Sequence, residues 1–357
     1  MSGDVTKLVR QSSPVDTSQP YDPATLQGKN ILITGGSNGL GALMVRNWAS
    51  HGANIFIADV DDKSGEALVA ELRTSYPSAT FLYRNCNVTD WDSQVETFDA
   101  AIRGMPGGGL DVVVPNAGIL LAGANDDFEN PRPGKDGKLK KPDTRVFDVN
   151  ITGVWYTTHL ALYHLPKNPR PNGDRCILLV GSLASIMCFS GQSQYTASKH
   201  AVLGLFRTIR GTASMSHDIR VNMICPYYVN GTGVCLPTAE ILLLAGGTPE
   251  GGTSAADVVD AATRLVADEH IRGRALAIGP RIKEIPDGEV EDLEGVIPDL
   301  TKDEIRNGGR AVWEVYADDY KRVDAWVGRW LLIVNTLAVA RGYFRWFQDV
   351  LTVWKRK

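Results

Sequence analysis

Cysteine is scarce in this chain, five in 357 residues, and Cys86, Cys176, Cys188, Cys225 and Cys235 include no CxxC pair. That spacing excludes a disulfide framework and a zinc site, and points to a reducing, cytoplasmic setting. Several of the five sit in apolar runs, where free cysteine behaves as a small hydrophobe. The six histidines are scattered without metal-ligand spacing, so no metal is expected. No charge of one sign prevails, and a net charge of −4 gives no electrostatic reason for a nucleic-acid partner. Long apolar runs are missing too. The stretch Trp330 to Ala340 is broken by Asn335 and Thr336, too short and interrupted for a membrane span. The N-terminal residues carry no apolar h-region, so no secretory signal is expected. What remains is 43% apolar and 22% charged, a globular composition, and the length suits one large domain with an appendage.

The apolar run Asn30-Ile31-Leu32-Ile33 reads as a buried parallel strand. It ends in Thr34-Gly35-Gly36-Ser37-Asn38-Gly39-Leu40-Gly41, and a helical pattern follows through Ala42, Leu43, Val45 and Trp48. Strand, glycine turn and helix are in the order that a dinucleotide-binding unit requires. Gly35 permits the tight turn, Gly39 lets backbone approach a pyrophosphate, and Gly41 allows close packing of helix on sheet. A second strand, Asn54 to Ala58, ends in Asp59, eighteen residues after Gly41. A carboxylate there accepts hydrogen bonds from both ribose hydroxyls and repels a 2′-phosphate. No Lys or Arg lies among Gly35 to Gly41 or Val60 to Asp62, so NAD is favoured over NADP.

Tyr195 and Lys199 stand four residues apart, one above the other on a helix. A nearby cation favours the phenolate, so Lys199 is expected to draw the Tyr195 pKa down. A phenol tuned in this way exchanges a proton with an alcohol or carbonyl.

Taken together, these motifs resemble the short-chain dehydrogenase/reductase family over about residues 26 to 280. Asn116-Ala117-Gly118, Asn150, Ser182 thirteen residues before Tyr195, and Pro226 after an apolar stretch complete the likeness. The resemblance implies a single doubly wound Rossmann-type α/β domain with a parallel sheet. It implies that Ser182 polarises the substrate oxygen and Tyr195 moves its proton. Lys199 then serves both the phenolate and the nicotinamide ribose, and Asn150 anchors a water linking Lys199 to solvent. For the dinucleotide it assigns the loop Gly35, Ser37, Asn38, Gly39, Leu40 and Gly41, with Asp59 beyond it. Asn87 and Val88, then Asn116, Ala117 and Gly118, then Pro226 and Val229 join Tyr195 and Lys199 in that role. A homo-oligomer is also implied. Three positions depart from the pattern: Pro115 replaces an asparagine, Asn87 replaces an aspartate, and Tyr227 replaces a glycine, with Thr232 one residue late. Tyr227 and Tyr228 are expected to narrow the pocket at the nicotinamide end.

Four segments follow. Residues 1–25 read as a flexible arm, 26–280 as the NAD-binding and catalytic domain, 281–324 as an acidic linker and helix, and 325–357 as an apolar, aromatic helical tail. Residues 125–143, with Pro131, Pro133, Pro142 and five cations, read as a surface loop. Residues 228–256 read as a leucine-rich lid, which suggests a lipophilic substrate. Five of the eight tryptophans lie from Trp313 to Trp354. With Arg341, Arg345 and Lys355-Arg356-Lys357, they give the tail two expected uses: packing on the protein, which is preferred, or peripheral contact with a membrane. The expected activity is NAD-dependent oxidation of a lipophilic or aromatic alcohol, similar to fungal forms that modify metabolites. An NADPH-dependent ketoreductase and a non-catalytic NAD-sensing scaffold are the alternatives.

Overall fold

Residues 10–170, 173–229, 252–282 and 310–316 of the computed structural model are described, with single positions at 333, 336, 340 and 343. The strands are β1 (Asn30–Thr34), β2 (Asn54–Asp59), β3 (Phe81–Asn85), β4 (Val112–Val114), β5 (Cys176–Val180), β6 (Arg220–Pro226), β7 (Ala275–Ile282) and β8 (Arg310–Val315). They form one sheet in the order β3-β2-β1-β4-β5-β6-β7-β8. Neighbours pair in parallel from β3 through to β7, and β8 closes the edge antiparallel to β7.

The sequence reason is visible in the burial. Strands β1, β4, β5 and β6 are buried at every position, as continuous apolar runs covered on both faces must be. Side chains alternate between two cores. Ile31, Ile33, Ile55, Ile57, Val112 and Val114 face one side, while Leu32, Phe56, Val113, Ile177 and Leu179 face the other. On the first side pack α1 (Gly39–Ser50), α2 (Asp62–Ser75) and, later in the chain, α7 (Ala255–Ala267), through residues such as Trp48, Leu72 and Leu265. On the second pack α3 (Trp91–Gly104), α5 (Val154–His164) and α6 (Ser193–His217), through Phe98, Leu160 and Phe206. Asp61, Asp90 and Ser254 cap α2, α3 and α7 by accepting from Ser64, Ser93 and Ala256 backbone N–H groups.

Three expectations are corrected. Asn125 to Glu129, expected as loop, belong to the short helix α4 (Ala122–Glu129), because Asn125 Oδ1 accepts from the Gln194 backbone at the start of α6. The sheet does not stop at 280: β7 runs to Ile282, and β8 falls where a linker and helix were expected. Its Glu314 accepts from Arg274 at 3.0 Å, an ion pair that fixes the strand against β7. The arm is not loose over its described part. Val15 N–H donates to Glu314 Oε2 at 2.7 Å, Tyr21 donates to Asp260 at 2.8 Å, and Arg264 donates to the Gln19 carbonyl at 2.7 Å. Charged partners on α7 and β8 thus hold the arm down. The leucine-rich segment 230–251 and the acidic stretch 284–294 lie outside the described residues, as does the tail except for four exposed helical positions. Among the described residues no helix is long and apolar enough to cross a membrane.

One buried charge cluster ties the second half of the sheet together. Asp174, just before β5, pairs with Lys29 at 2.9 Å and with Arg220, which also donates to the Val266 carbonyl at the end of α7. Burial pushes Asp174 up, but the Arg220 and Lys29 charges outweigh it and hold the carboxyl at about 2. Replacing Asp174 with Asn strands buried positive charge, and urea unfolding should show a loss of about 3–5 kcal/mol. The sign of the pH effect follows: Asp174 stabilises above the ordinary carboxylate range, and that part is lost as pH falls through about 2. Asp174→Asn should lack this acid limb; a variant as stable as the parent would contradict the assignment.

Candidate active site

Between β1 and β4 the strand order reverses, and chains leaving the two strands diverge to open a cleft. It encloses about 390 Å³. Asn116, just past β4, spans the reversal point: its Nδ2 donates to the Thr34 and Gly35 carbonyls at 2.9 and 2.8 Å. Thr34 Oγ1 accepts in return from the Asn116 and Ala117 backbone N–H groups at 3.1 and 3.2 Å. Gly35 and Gly39 are left-handed, at φ +64 and +54. A Cβ on Gly41 would lie 2.1 Å from the Gly35 carbonyl oxygen, so only glycine fits there. These glycines leave bare backbone facing the cleft at the N-terminus of α1. Asn38, the cap residue, makes no side-chain hydrogen bond to the helix and is turned instead to Asp61 at 2.9 Å. The first N–H groups of α1 therefore remain for an anion.

Asp59 ends β2 on the wall of the same cleft. Its two oxygens accept from the Ser37 and Asp61 backbone N–H groups at 3.0 and 3.2 Å, which fixes the carboxylate. Asp61 and Asp62 follow at once, and Lys199 is the one Lys or Arg among the described lining residues. This set fits a dinucleotide: a glycine cradle, a helix N-terminus for the pyrophosphate and a carboxylate for ribose hydroxyls. Gly35, Asn38, Gly39, Leu40 and Gly41 line the cleft, as do Asn87, Val88, Asn116, Ala117, Gly118, Pro226 and Val229. Ser37 does not. It is buried, and its contribution is the N–H that orients Asp59. Asn87 Oδ1 already accepts from Thr89 N–H and Oγ1, in a local turn.

Ser182, Tyr195 and Lys199 line the cleft on the far side of the reversal. Ser182 follows β5 and caps the helical turn Leu183–Ser185, its Oγ accepting from Ala184 N–H at 3.1 Å and donating to the Pro226 carbonyl at 3.3 Å. The Ser182 hydroxyl acts on the Tyr195 phenol by pulling its pKa down. Lys199 lies one turn along α6 from Tyr195, with Nζ 5.7 Å from the phenol ring centroid and donating to the Val180 carbonyl at 3.1 Å.

The pKa directions correct one expectation. Burial pushes the Tyr195 phenol up, against an opposing pull from the Ser182 hydroxyl. Burial also brings Lys199 down to about 8, with Cys225 beneath it acting the other way. The lysine is thus poised near neutrality while the phenol sits above its ordinary value.

Asn150 does not line the cleft. It lies in a π-helical stretch, Asp148–Gly153, that leads into α5. Its carboxamide is taken up by the protein: Oδ1 accepts from Ile119 N–H at 2.8 Å, and Nδ2 donates to the Ile119 carbonyl and to Ser198 Oγ at 2.9 and 3.1 Å. Ser198 Oγ in turn donates to the Tyr195 carbonyl at 2.7 Å, so Asn150 braces both the loop after β4 and α6. Sequence reading misses the Val180 carbonyl, since a backbone acceptor leaves no residue signature. It also misses Phe189 and Gln192 on the cleft wall, although their place between Ser182 and Tyr195 is a usable signal.

With this geometry in hand, comparison with known proteins is decisive. The family model for short chain dehydrogenase matches residues 29–238. This chain is a short-chain dehydrogenase. It is 34% identical over 275 residues to 5'-hydroxyaverantin dehydrogenase of Dothistroma septosporum, covering 72% of this chain and 87% of that protein. A protein of a Phoma species named NADP-dependent dehydrogenase M3 is 28% identical over 279 residues, covering 75% and 80%. A crystal structure of 3-ketoacyl-(acyl-carrier-protein) reductase from Brucella melitensis complexed with NADH superposes with a TM-score of 0.57 at 24% identity, covering 71% and 97%, a likeness of fold. The short-chain dehydrogenase is accordingly an oxidoreductase of the class acting on CH–OH groups with NAD or NADP, on small-molecule substrates. The non-catalytic scaffold gives way to it.

Two outcomes follow from the site. Tyr195→Phe should lower turnover roughly 100- to 10,000-fold while calorimetry still registers dinucleotide binding; near-normal turnover would remove the phenol from the chemistry. For Lys199, the unfolded chain keeps its proton up to the ordinary lysine value of 10.5, whereas the folded one releases it near 8. The unfolded state holds more protons in between, so stability should rise with pH across that window relative to Lys199→Met. Parallel pH–stability curves for the two proteins would contradict the buried-lysine account.

Proposed function

We infer that this short-chain dehydrogenase uses NAD to oxidise a lipophilic or aromatic alcohol, secondary or benzylic, to a ketone or aldehyde. The observation that carries the reading is one cleft holding Ser182, Tyr195 and Lys199 on one side of the reversal and Asp59 on the other. When bound, the dinucleotide supplies the hydride-accepting chemistry. Ser182 Oγ and the Tyr195 phenol, which line the same cleft, converge on the substrate oxygen. Tyr195 takes the alcohol proton as general base, or returns it to a carbonyl as general acid. Lys199, charged below about 8, favours the phenolate as the proton moves and can reach the nicotinamide ribose. Asn150 acts as a positioning residue through Ile119 and Ser198. The resemblance further supports a homo-oligomer.

NAD is preferred because a 2′-phosphate would meet Asp59 with Asp61 and Asp62 beside it and no described lining cation at that end. The second reading, an NADPH-dependent ketoreductase, is favoured by relatives that are named as NADP-dependent. Steady-state assays of the purified protein with NAD and NADP over a panel of alcohols separate the two. The expected result is NAD reduction with kcat/KM at least about tenfold above NADP, which is about 1.4 kcal/mol of discrimination. Asp59→Ala should shrink that ratio by weakening NAD and relieving repulsion of NADP. An unchanged ratio would remove Asp59 from cofactor choice and leave the ketoreductase standing.

A further inference from the structure

Four side chains of the cleft have no role in the reaction as proposed above: Phe189, Gln192, Tyr227 and Tyr228. Phe189 and Gln192 belong to the loop joining Ser182 to Tyr195. The two tyrosines follow Pro226, whose carbonyl accepts from Ser182 Oγ at 3.3 Å. All four therefore stand at the Ser182–Tyr195 end, three or four strands across the sheet from Asp59.

Their arrangement is ordered. The Phe189 and Tyr227 ring centroids are 6.0 Å apart with planes tilted by 30°, and Tyr227 meets Tyr228 edge-on at 5.6 Å. Both spacings lie where aromatic rings attract. Two ring faces would need about 7 Å to admit a third ring between them, so these rings form a wall rather than a sandwich. All three are half-buried and keep surface in the cleft. The backbone holds the wall still: Tyr227 N–H donates to the Ile278 carbonyl at 2.8 Å, and Thr253 N–H donates to the Tyr228 carbonyl at 2.6 Å. The wall ends in a polar pair, Gln192 Nε2 donating to the Tyr228 hydroxyl at 3.3 Å.

An aromatic wall distinguishes a flat π face from an aliphatic ring of the same size, because only the former adds quadrupole attraction to contact area. An amide and a phenol each donate and accept, so the pair at its end matches either a hydroxyl or a carbonyl oxygen. We propose that Phe189 and Tyr227 select alcohols whose carbinol carbon is attached to a planar aromatic ring, and that Gln192 with Tyr228 reads an oxygen substituent on that ring. This inference rests on the alcohol-oxidation reading of the Tyr195 site and narrows it from lipophilic or aromatic alcohols to oxygenated aryl carbinols.

The test is kcat/KM with NAD for 1-phenylethanol, 1-cyclohexylethanol and 1-(3-hydroxyphenyl)ethanol, in the intact protein, Tyr227→Leu and Gln192→Leu. Each ratio is taken within one protein, so a general loss of stability or cofactor affinity cancels. The intact enzyme should prefer phenyl over cyclohexyl by about fivefold or more. Tyr227→Leu should bring that ratio close to one. Gln192→Leu should abolish the gain from the ring hydroxyl and keep the phenyl preference. Equal rates on phenyl and cyclohexyl substrates, or a phenyl preference that survives Tyr227→Leu, would overturn the inference and leave alcohol oxidation intact. Failure to oxidise any alcohol of a broad panel would overturn the site reading and the inference together.

Discussion

The tether made by Asn116 across the reversal of strand order is the interaction on which the site depends. β1 and β4 are neighbours, yet the chain leaves them towards opposite halves of the sheet. Without a fastening, the glycine loop after β1 and the loop after β4 would be free to separate. Asn116 Nδ2 bonds two carbonyls of the glycine loop, and Thr34 Oγ1 collects two N–H groups from the other side. The glycines are then required for a steric reason as well as for a ligand: Cβ atoms on Gly35 and Gly41 would strike Ala117 and Asn116. The glycine loop after β1 and the loop after β4 are thereby fastened to each other.

Behind that joint, the groups proposed to carry the chemistry are held by neighbouring side chains and backbone. Asn150, Ser198 and the Val180 carbonyl fix the loop after β4, the Tyr195 backbone and Lys199. The cost of burying Lys199 is expressed as a lowered pKa rather than offset by a carboxylate partner. That contrasts with Asp174, Lys29 and Arg220 at the other end of the strands, where opposite charges meet and the acid is held down. The same sheet thus carries one buried cation whose pKa is lowered by burial and one set in which buried opposite charges meet.

Much of this is legible in the residues because parallel strands buried on both faces must be continuously apolar. Asn30 to Ile33, Cys176 to Val180 and Val221 to Cys225 announce themselves in that way. The glycine spacing and the Tyr195–Lys199 pair are equally readable, since each position is demanded by one physical need. What escapes reading depends on partners distant in sequence. The arm reads as loose because its anchors, Asp260, Arg264 and Glu314, lie more than 200 residues away. β8 is hidden beyond an acidic stretch, where Glu314 is satisfied by Arg274 and the arm rather than by near neighbours. Ser37 shares a loop with cleft-lining residues but is buried beneath it, a distinction that spacing alone does not carry. The upward push on Tyr195 comes from burial, which a helix-face argument about Lys199 leaves out.

The cleft as proposed would hold dinucleotide and alcohol together, so that the nicotinamide would take hydride directly from the carbinol carbon. The most direct measurement supplies the enzyme with NAD and an alcohol deuterated at that carbon, then weighs the nicotinamide product by mass spectrometry. The account predicts reduced nicotinamide carrying one deuterium per ketone or aldehyde formed. Reduced nicotinamide without deuterium, or oxidation of the alcohol with no reduced nicotinamide, would contradict it.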